Sequence, residues 1–536
     1  MNFSDPIPQS ACHFSNQGNL LAIAKSQELY IFETEKLSVR DKFVFKDVIT
    51  SIEWSPDDNF IMAVLAKQNQ IHLRCLNPDV IQSKQEGWTG KIEEGVIGLA
   101  GQIWAPDSRQ ILTFSDLQLR ATVWSLVEQR ATAYIRSPKH VPPKGISFSQ
   151  NKKFMALAER RDAKDWISIY YTGNDWKLVN TFEVDTFDLT DLMWAKEDTS
   201  ILVYDTPLES KLIIYSAMTG EVVAKHNLSS GPGLGIKSVQ LSPNGIFMTV
   251  AFFDTKLRIF NAYSQREIVS FEHTSQISFA QAEYNRVLIY RETQITEQLG
   301  SYANNEKQYF QYKVTQAHRD GQELTVEKFP MINKKEISAF TTSQFEKVGT
   351  QGPPTGVSLV AWSHDSKYLA TKCDQLPNVI YVWEMSSVEL HSVLVHLNPV
   401  KHINFGPTTH QLCISTGQAR FFSWSPQSTA CYDLNGDSGS LSSALVTFSV
   451  QKVKWNPKGN KLILIDKNQA MIAFPGYEFV NYSSQPKFIS EYNSVFNVIG
   501  TGTGLTENNY NSGYFDQSAA KFLQSSGSFA GNNKLY

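Results

Sequence analysis

The chain has 536 residues, and 49 Lys plus Arg stand against 52 Asp plus Glu, a formal charge of −3. A hydrophobic share of 42% with 12% aromatics is too apolar for a largely unfolded chain, and 19% charged residues is too few for a long coiled coil. No apolar run approaches the ~18 residues that span a bilayer, and the near-neutral balance gives no overall pull toward nucleic acid.

The opening MNFSDPIPQS holds an acid and two prolines with no basic stretch before an apolar run, so no secretory signal is expected, and Asn2 argues against myristoylation. Five scattered cysteines, Cys12, Cys75, Cys373, Cys413 and Cys431, include no C-x-x-C pair. That pattern argues against a disulfide framework or zinc ribbon and for a reducing, intracellular setting.

From Phe14 onward one unit recurs: an aromatic or Leu, a small residue, a short polar turn, then an apolar pair. It reads FSNQGNLLA from Phe14, WSPDDNFIM from Trp54, WAPDSRQIL from Trp104, FSQNKKFMA from Phe148, WAKEDTSIL from Trp194 and LSPNGIFMT from Leu241. After a gap come WSHDSKYLA from Trp362, FGPTTHQLC from Phe405 and WNPKGNKLI from Trp455. Steps of 40 to 50 residues, broken by one of 121, are the period of propeller blades.

Each unit reads as four strands. VITSIEW is a β-branched and aromatic run, SPDDN supplies turn chemistry, and Phe60 to Leu65 and Gln70 to Leu76 follow as strands. Third strands recur as ELYIFE at 28–33, RATVWS at 120–125, KLIIY at 211–215 and VIYVWE at 379–384, and fourth strands as VRDKFVF at 39–45 and REIVSF at 266–271. The pattern predicts an all-β propeller of about nine blades, as one large ring or two fused small ones. Residues 1–8 are expected to add the outer strand of the last blade. The expected layout is blades one to six over 1–271, an insertion or degenerate blade over 272–355, blades seven to nine over 356–481, and a disordered tail over 482–536 rich in Asn, Ser and Gly.

The repeat resembles the WD-repeat class of β-propellers, but no third strand is followed by Trp-Asp. Those positions hold Trp124–Ser125, Trp383–Glu384, Trp424–Ser425 or Phe260–Asn261. The side-chain network that Asp supports is therefore expected to be incomplete, with stability resting on burial at roughly 1.5–3 kcal/mol per large side chain.

Motifs with catalytic overtones weigh little. GDSGS at 436–440 has no placed His base or orienting Asp, and GTGTG at 500–504 lacks the Lys-Ser/Thr of a phosphate loop. His391, His396, His402 and His410 cluster in sequence but fall on different strands and turns, so no metal or cofactor is assigned. The densest charge cluster is ERRDAKD, on the turn between the second and third strands of blade four. Glu159, Arg160, Arg161, Asp162, Lys164 and Asp165 read either as a partner-docking patch or as a salt-bridged hairpin fixing its own turn.

A closer resemblance lies in MNFS at 1–4, IEWS at 52–55, KIEEG at 91–95, ATVWSL at 121–126, ALAERRD with KD at 156–165, DLT with WA at 188–195 and GIKSV at 235–239. In that order they resemble the centrosomal WD-repeat protein family whose animal member is encoded antisense to a tumour-suppressor-family gene. The resemblance implies a scaffold, not an enzyme, at centrosomes, spindle poles and basal bodies. The partners it implies are a coiled-coil microtubule-anchoring protein of centriolar satellites, a minus-end-directed kinesin and the gamma-tubulin machinery, with no nucleic acid and no membrane. The implied outcomes are minus-end anchoring, spindle assembly and ciliogenesis. A translation-initiation-type propeller scaffold is the alternative, and it would call for a basic face.

Overall fold

The computed structural model describes residues 2–4, 6–77, 88–173, 175–228, 234–278, 287–298, 306–316, 326–328, 355–434 and 448–475. Nine antiparallel sheets follow one another over 11–44, 51–93, 101–136, 146–183, 191–227, 236–272, 357–395, 402–433 and 452–474. Every repeat unit read from the sequence opens one of them. The GDSGS and GTGTG motifs and the 482–536 tail lie outside the described residues.

Burial peaks in the middle strands and is low in the outer strands of most blades. In blade two the second strand, Phe60–Leu65, is buried at all six positions. A strand hidden on both faces reads as a continuous apolar run. The outer strand Val39–Val44 of blade one is largely exposed. The faces of the middle strands have only the neighbouring blades to cover them, and the apolar clusters show this directly.

Nine clusters each join two consecutive blades. Ala22 and Ile31 pack with Trp54 and Ile61, Met62 with Trp104 and Ile111, and Leu112 and Phe114 with Met155 and Leu157. Ile167 meets Trp194, Ile214 meets Met248, and Ile259 meets Val357 and Tyr381. Val382 packs on Phe405 and Phe422, and Phe421 on Trp455 and Leu462. The ninth cluster sets Leu21 and Ile23 of blade one against Ile463 and Ile472 of blade nine. Blades six and seven share a core as the others do, and nine joins one. The nine blades therefore form one ring, which decides against two fused ones.

The closing blade joins the opening residues to the strands of 452–474. Asn2 and Phe3 pair antiparallel with Phe474 and Ala473, and Ile7 and Pro8 with Ala470 and Gln469. Phe3 packs edge-on against Phe421 at 6.4 Å.

A second set of contacts runs between the turns that join first and second strands. In four blades a Ser hydroxyl accepts the amide five residues on and donates to the Asp or Asn two residues on: Ser55 with Phe60 and Asp57, Ser149 with Phe154 and Asn151, Ser242 with Phe247 and Asn244, and Ser363 with Tyr368 and Asp365. These are the local side-chain bonds expected of turn residues. The left-handed residue of such a turn then clasps the preceding blade. Asp58 (φ 59°) accepts the amides of Asn16 and Gln17 at 2.7 Å, and Asp198 accepts those of Gln150 and Asn151. Ser108 accepts the amide of Asp57 and Ser366 that of Asn244, both at 3.0 Å. Between blades nine and one, Asn456 donates to Gly18 O at 3.1 Å. Gly18 sits at φ 73°, and a Cβ there would overlap the Asn456 side chain, so the position requires glycine.

The missing Trp-Asp is replaced in two blades by buried chains of another composition. In blade seven, Trp383 Nε1 donates to Thr371 Oγ1 at 2.9 Å, and Thr371 meets His273 Nε2 at 2.7 Å. In blade three, Trp124 Nε1 donates to both Thr113 Oγ1 and Glu94, and Thr113 also bonds Glu94.

Between blades six and seven the described residues form a short ladder, Gln276–Ser278 with Val326–Lys328, and a long hairpin, Leu288–Gln298 with Glu306–Gln316. The hairpin continues blade seven outward, Leu288 to Arg291 running parallel to Ser392 to Val395. Its Glu292 is buried, accepting Arg420 Nε at 3.0 Å and the Leu397 amide at 2.8 Å, while Arg420 lies 3.7 Å over the Phe310 ring. A buried charge so paired ties the insertion to blade eight.

Removing residues 1–8 leaves the last blade a strand short and uncovers Phe421, so the melting temperature should fall by about 3 °C or more. An unchanged melting curve would show that the closure contributes nothing. Burial holds the His273 pKa down to about 4. The unfolded chain takes up that proton near pH 6.5 and the folded chain only near 4. Stability is therefore complete above 6.5 and is lost as pH falls toward 4, by ~3 kcal/mol for this group. Chemical denaturation at pH 7 and pH 4.5 should show the loss, reduced in His273→Gln.

Candidate partner-binding face

The strands Phe154–Arg161 and Lys164–Tyr171 form the longest second–third pair of the nine blades. Their two-residue turn, Asp162 and Ala163, has both residues in the left-handed region (φ 47° and 61°), as a tight hairpin requires. Register places Arg161 opposite Lys164, Arg160 opposite Asp165 and Glu159 opposite Trp166. Strand alternation then sends Glu159 and Arg161 to one face and Arg160 to the other.

On the first face Glu159, 1% exposed, accepts Tyr170 OH at 2.8 Å and pairs with Arg161, which also donates to Ser168 and lies over the Trp166 ring. On the second, Asp165, also 1% exposed, accepts Lys139 Nζ at 2.8 Å, Arg160 Nη1 at 2.6 Å, Thr186 Oγ1 at 3.0 Å and the Leu189 amide at 2.7 Å. Burial alone would raise its pKa, but the bonds from Lys139, the Leu189 amide and Arg160 outweigh it and hold the carboxyl below its ordinary value. Asp165 thus welds the hairpin to the connection entering blade five. Asp205 fixes the same connection, accepting the amides of Phe187 and Asp188 at 2.8 Å.

Of the six residues singled out from sequence, Glu159 and Asp165 are internal anchors, and Arg160 and Arg161 are their half-exposed counter-ions. Asp162 and Lys164 stand at the exposed tip, Lys164 bonded to Glu183 at 2.6 Å. Sequence reasoning missed the apolar side chains around them. Phe187 follows blade four, Leu208 lies in the second–third turn of blade five, and Leu117 and Leu119 lie in the equivalent turn of blade three; all are exposed, Leu117 at 88% and Leu208 at 75%. Successive loops on this one face carry a rigid charged hairpin and uncovered apolar side chains, the mixture that marks interaction surfaces.

The four histidines do not converge. His396 is buried beside Glu292 and Phe422, His391 contacts Ser392 and the Tyr368 ring, and His402 lies on the first strand of blade eight. His410 instead meets Asp365 of blade seven at 2.7 Å, with His364 alongside. His364 and His410 both fall in the first-to-second-strand turns of consecutive blades, a placement that aligning the repeats carries and local clustering does not. Burial pushes the thiols of Cys12 and Cys373 up to about 11, the direction opposite to that of a reactive thiolate.

No family model matches the chain. It is, however, 30% identical over 476 residues to the WD repeat-containing protein WRAP73 of Mus musculus, covering 88% of this chain and 96% of that protein. The chain belongs to the WRAP73 family of WD-repeat proteins. An uncharacterised WD repeat-containing protein of Schizosaccharomyces pombe is 20% identical over 408 residues, 75% of each chain. Among solved structures the C-terminal WD40 domain of Sif2 aligns with a TM-score of 0.44 at 10% identity, over 80% of this chain and 96% of that one. As a WRAP73-family propeller the chain is a WD-repeat scaffold, and its loop face is the natural place to look for partners.

Truncating an anchor and truncating the tip should separate the two roles of the hairpin. Asp165→Ala removes the buried carboxylate shared by Lys139, Arg160, Thr186 and the Leu189 amide, leaves buried Lys139 with only the exposed Asp188, and should cost about 3–5 kcal/mol in urea unfolding. Lys164→Ala should cost under ~1 kcal/mol. Equal losses would contradict the division into anchors and tip.

Proposed function

We propose that the protein is a non-enzymatic scaffold of the centrosome, spindle pole or basal body, supporting microtubule minus-end anchoring, spindle assembly and cilium assembly. Its partner is a coiled-coil microtubule-anchoring protein of centriolar satellites. Through that complex it works with a minus-end-directed kinesin and the gamma-tubulin machinery. The observation that carries this reading is the relationship to WRAP73 along nearly the whole of both chains. The step from family to cellular role is by analogy.

The loop face of blades three to five fits that task. A coiled-coil partner offers helices with apolar stripes and charged flanks, and helix recognition seats apolar anchors beside complementary polar groups. Leu117, Leu119, Phe187 and Leu208 supply the apolar side, and Lys164, Asp162 and the half-exposed Arg160 the polar side.

A fluorescently tagged copy should form foci at spindle poles or basal bodies, and affinity purification should recover a coiled-coil microtubule-anchoring chain. Phe187→Ala with Leu208→Ala should reduce that recovery at least tenfold with the melting temperature preserved. A diffuse cytosolic signal with co-purifying ribosomes would sink this reading and favour the translation-type scaffold.

A further inference from the structure

The turn-to-turn clasp between blades seven and eight differs in chemistry from those described above. In those a carboxylate or hydroxyl takes a backbone amide, or an amide side chain donates to a carbonyl. Here His410, from the first turn of blade eight, places Nε2 2.7 Å from Asp365 Oδ2 in the first turn of blade seven. His364 stands beside them, its ring centroid 5.2 Å from that of His410 and its plane tilted by 30°. One ligand atom from each of the three residues lies within 4.8 Å of the other two. It is the one such trio among the described residues.

We propose that His364, Asp365 and His410 bind a zinc-class divalent cation that staples blade seven to blade eight. Two imidazoles and a carboxylate are a donor set for zinc, and three protein ligands leave a position for water. Bonds of about 2.0–2.1 Å put tetrahedral ligand atoms about 3.3 Å apart, so the trio must close by roughly 1.5 Å at most. His364 is exposed and can swing to provide this.

The other two ligands are held in place. Asp365 Oδ1 accepts Ser363 Oγ at 2.8 Å and the Lys367 amide at 3.0 Å, which fixes the carboxylate with Oδ2 toward His410. Tyr368 packs edge-on against His410 at 5.2 Å and limits its rotation. Such outer contacts orient ligands and sharpen a site. On binding, Nε2 of His410 gives up its proton to solvent or, through the tautomer, to Nδ1, and the Nε2 to Oδ2 hydrogen bond is exchanged for two metal bonds. The cation thus takes the place of the shared proton and adds a third arm from His364.

The test uses the full chain without a histidine tag. Titration calorimetry with Zn2+, and visible absorption with Co2+ as a spectroscopic probe, should show one equivalent bound. Zn2+ should also raise the melting temperature. His364→Ala and His410→Ala should each weaken binding at least tenfold and abolish the thermal shift. Because His364 is exposed, His364→Ala should keep the metal-free melting temperature of the parent, so a lost shift reports the site and not the fold. No stoichiometric binding, or binding equal to the parent in both variants, would overturn the proposal.

Discussion

Everything in this molecule depends on the apolar seam between neighbouring blades. A four-stranded sheet with both faces of its middle strands apolar cannot be stable alone, because roughly half of its core has no cover. Each seam solves this for two blades at once, and around a ring the solution repeats until no face is left open. At roughly 1.5–3 kcal/mol per fully buried large side chain, nine such seams outweigh the hydrogen bonds between turns by a wide margin. The turn clasps through Asp58, Ser108, Asp198 and Ser366 act on what remains, which is alignment. They keep consecutive sheets in phase, so that each Trp or Phe at the end of a first strand meets the blade before it.

That division of labour explains how much of the fold could be read from the sequence. Trp54, Trp104, Trp194 and Trp455 announce blades because the seam needs a large apolar side chain at one repeating position, and the Ser, Asp and Asn beside them announce turns by local bonding. Neither signal needs distant information. The number of rings did, since it depends on the cores shared between blades six and seven and between blades nine and one. The hairpin at 288–316 shows the same limit: parallel pairing with Ser392 to Val395 and burial of Glu292 under Arg420 depend on residues about a hundred positions away. The substitutes for the missing Trp-Asp were likewise invisible, because Glu94 bonds Trp124 and His273 reaches Trp383 through Thr371, all in later parts of the chain.

The candidate site was half legible for a related reason. Charge density at 159–165 is a property of the sequence, but burial is not. Glu159 and Asp165 look like surface acids until the blade places Tyr170, Lys139 and the 184–190 connection around them. The structure converts a stretch of apparent surface charge into two fixed anchors and a short exposed tip. A hairpin held that firmly presents its tip and the neighbouring Phe187 and Leu208 in one geometry. Little ordering entropy then remains to be lost when a partner docks.

Closure by residues 2–8 also has a consequence for synthesis. Asn2 is synthesised hundreds of residues before its partner Phe474, which comes near the end of the described chain. At about 5–20 residues per second the opening strand waits tens of seconds without a mate, while the growing arc carries one uncovered apolar end. Nascent chains of this protein are therefore committed to a period of aggregation risk set by translation speed, and chaperone demand should be concentrated there rather than in the finished ring.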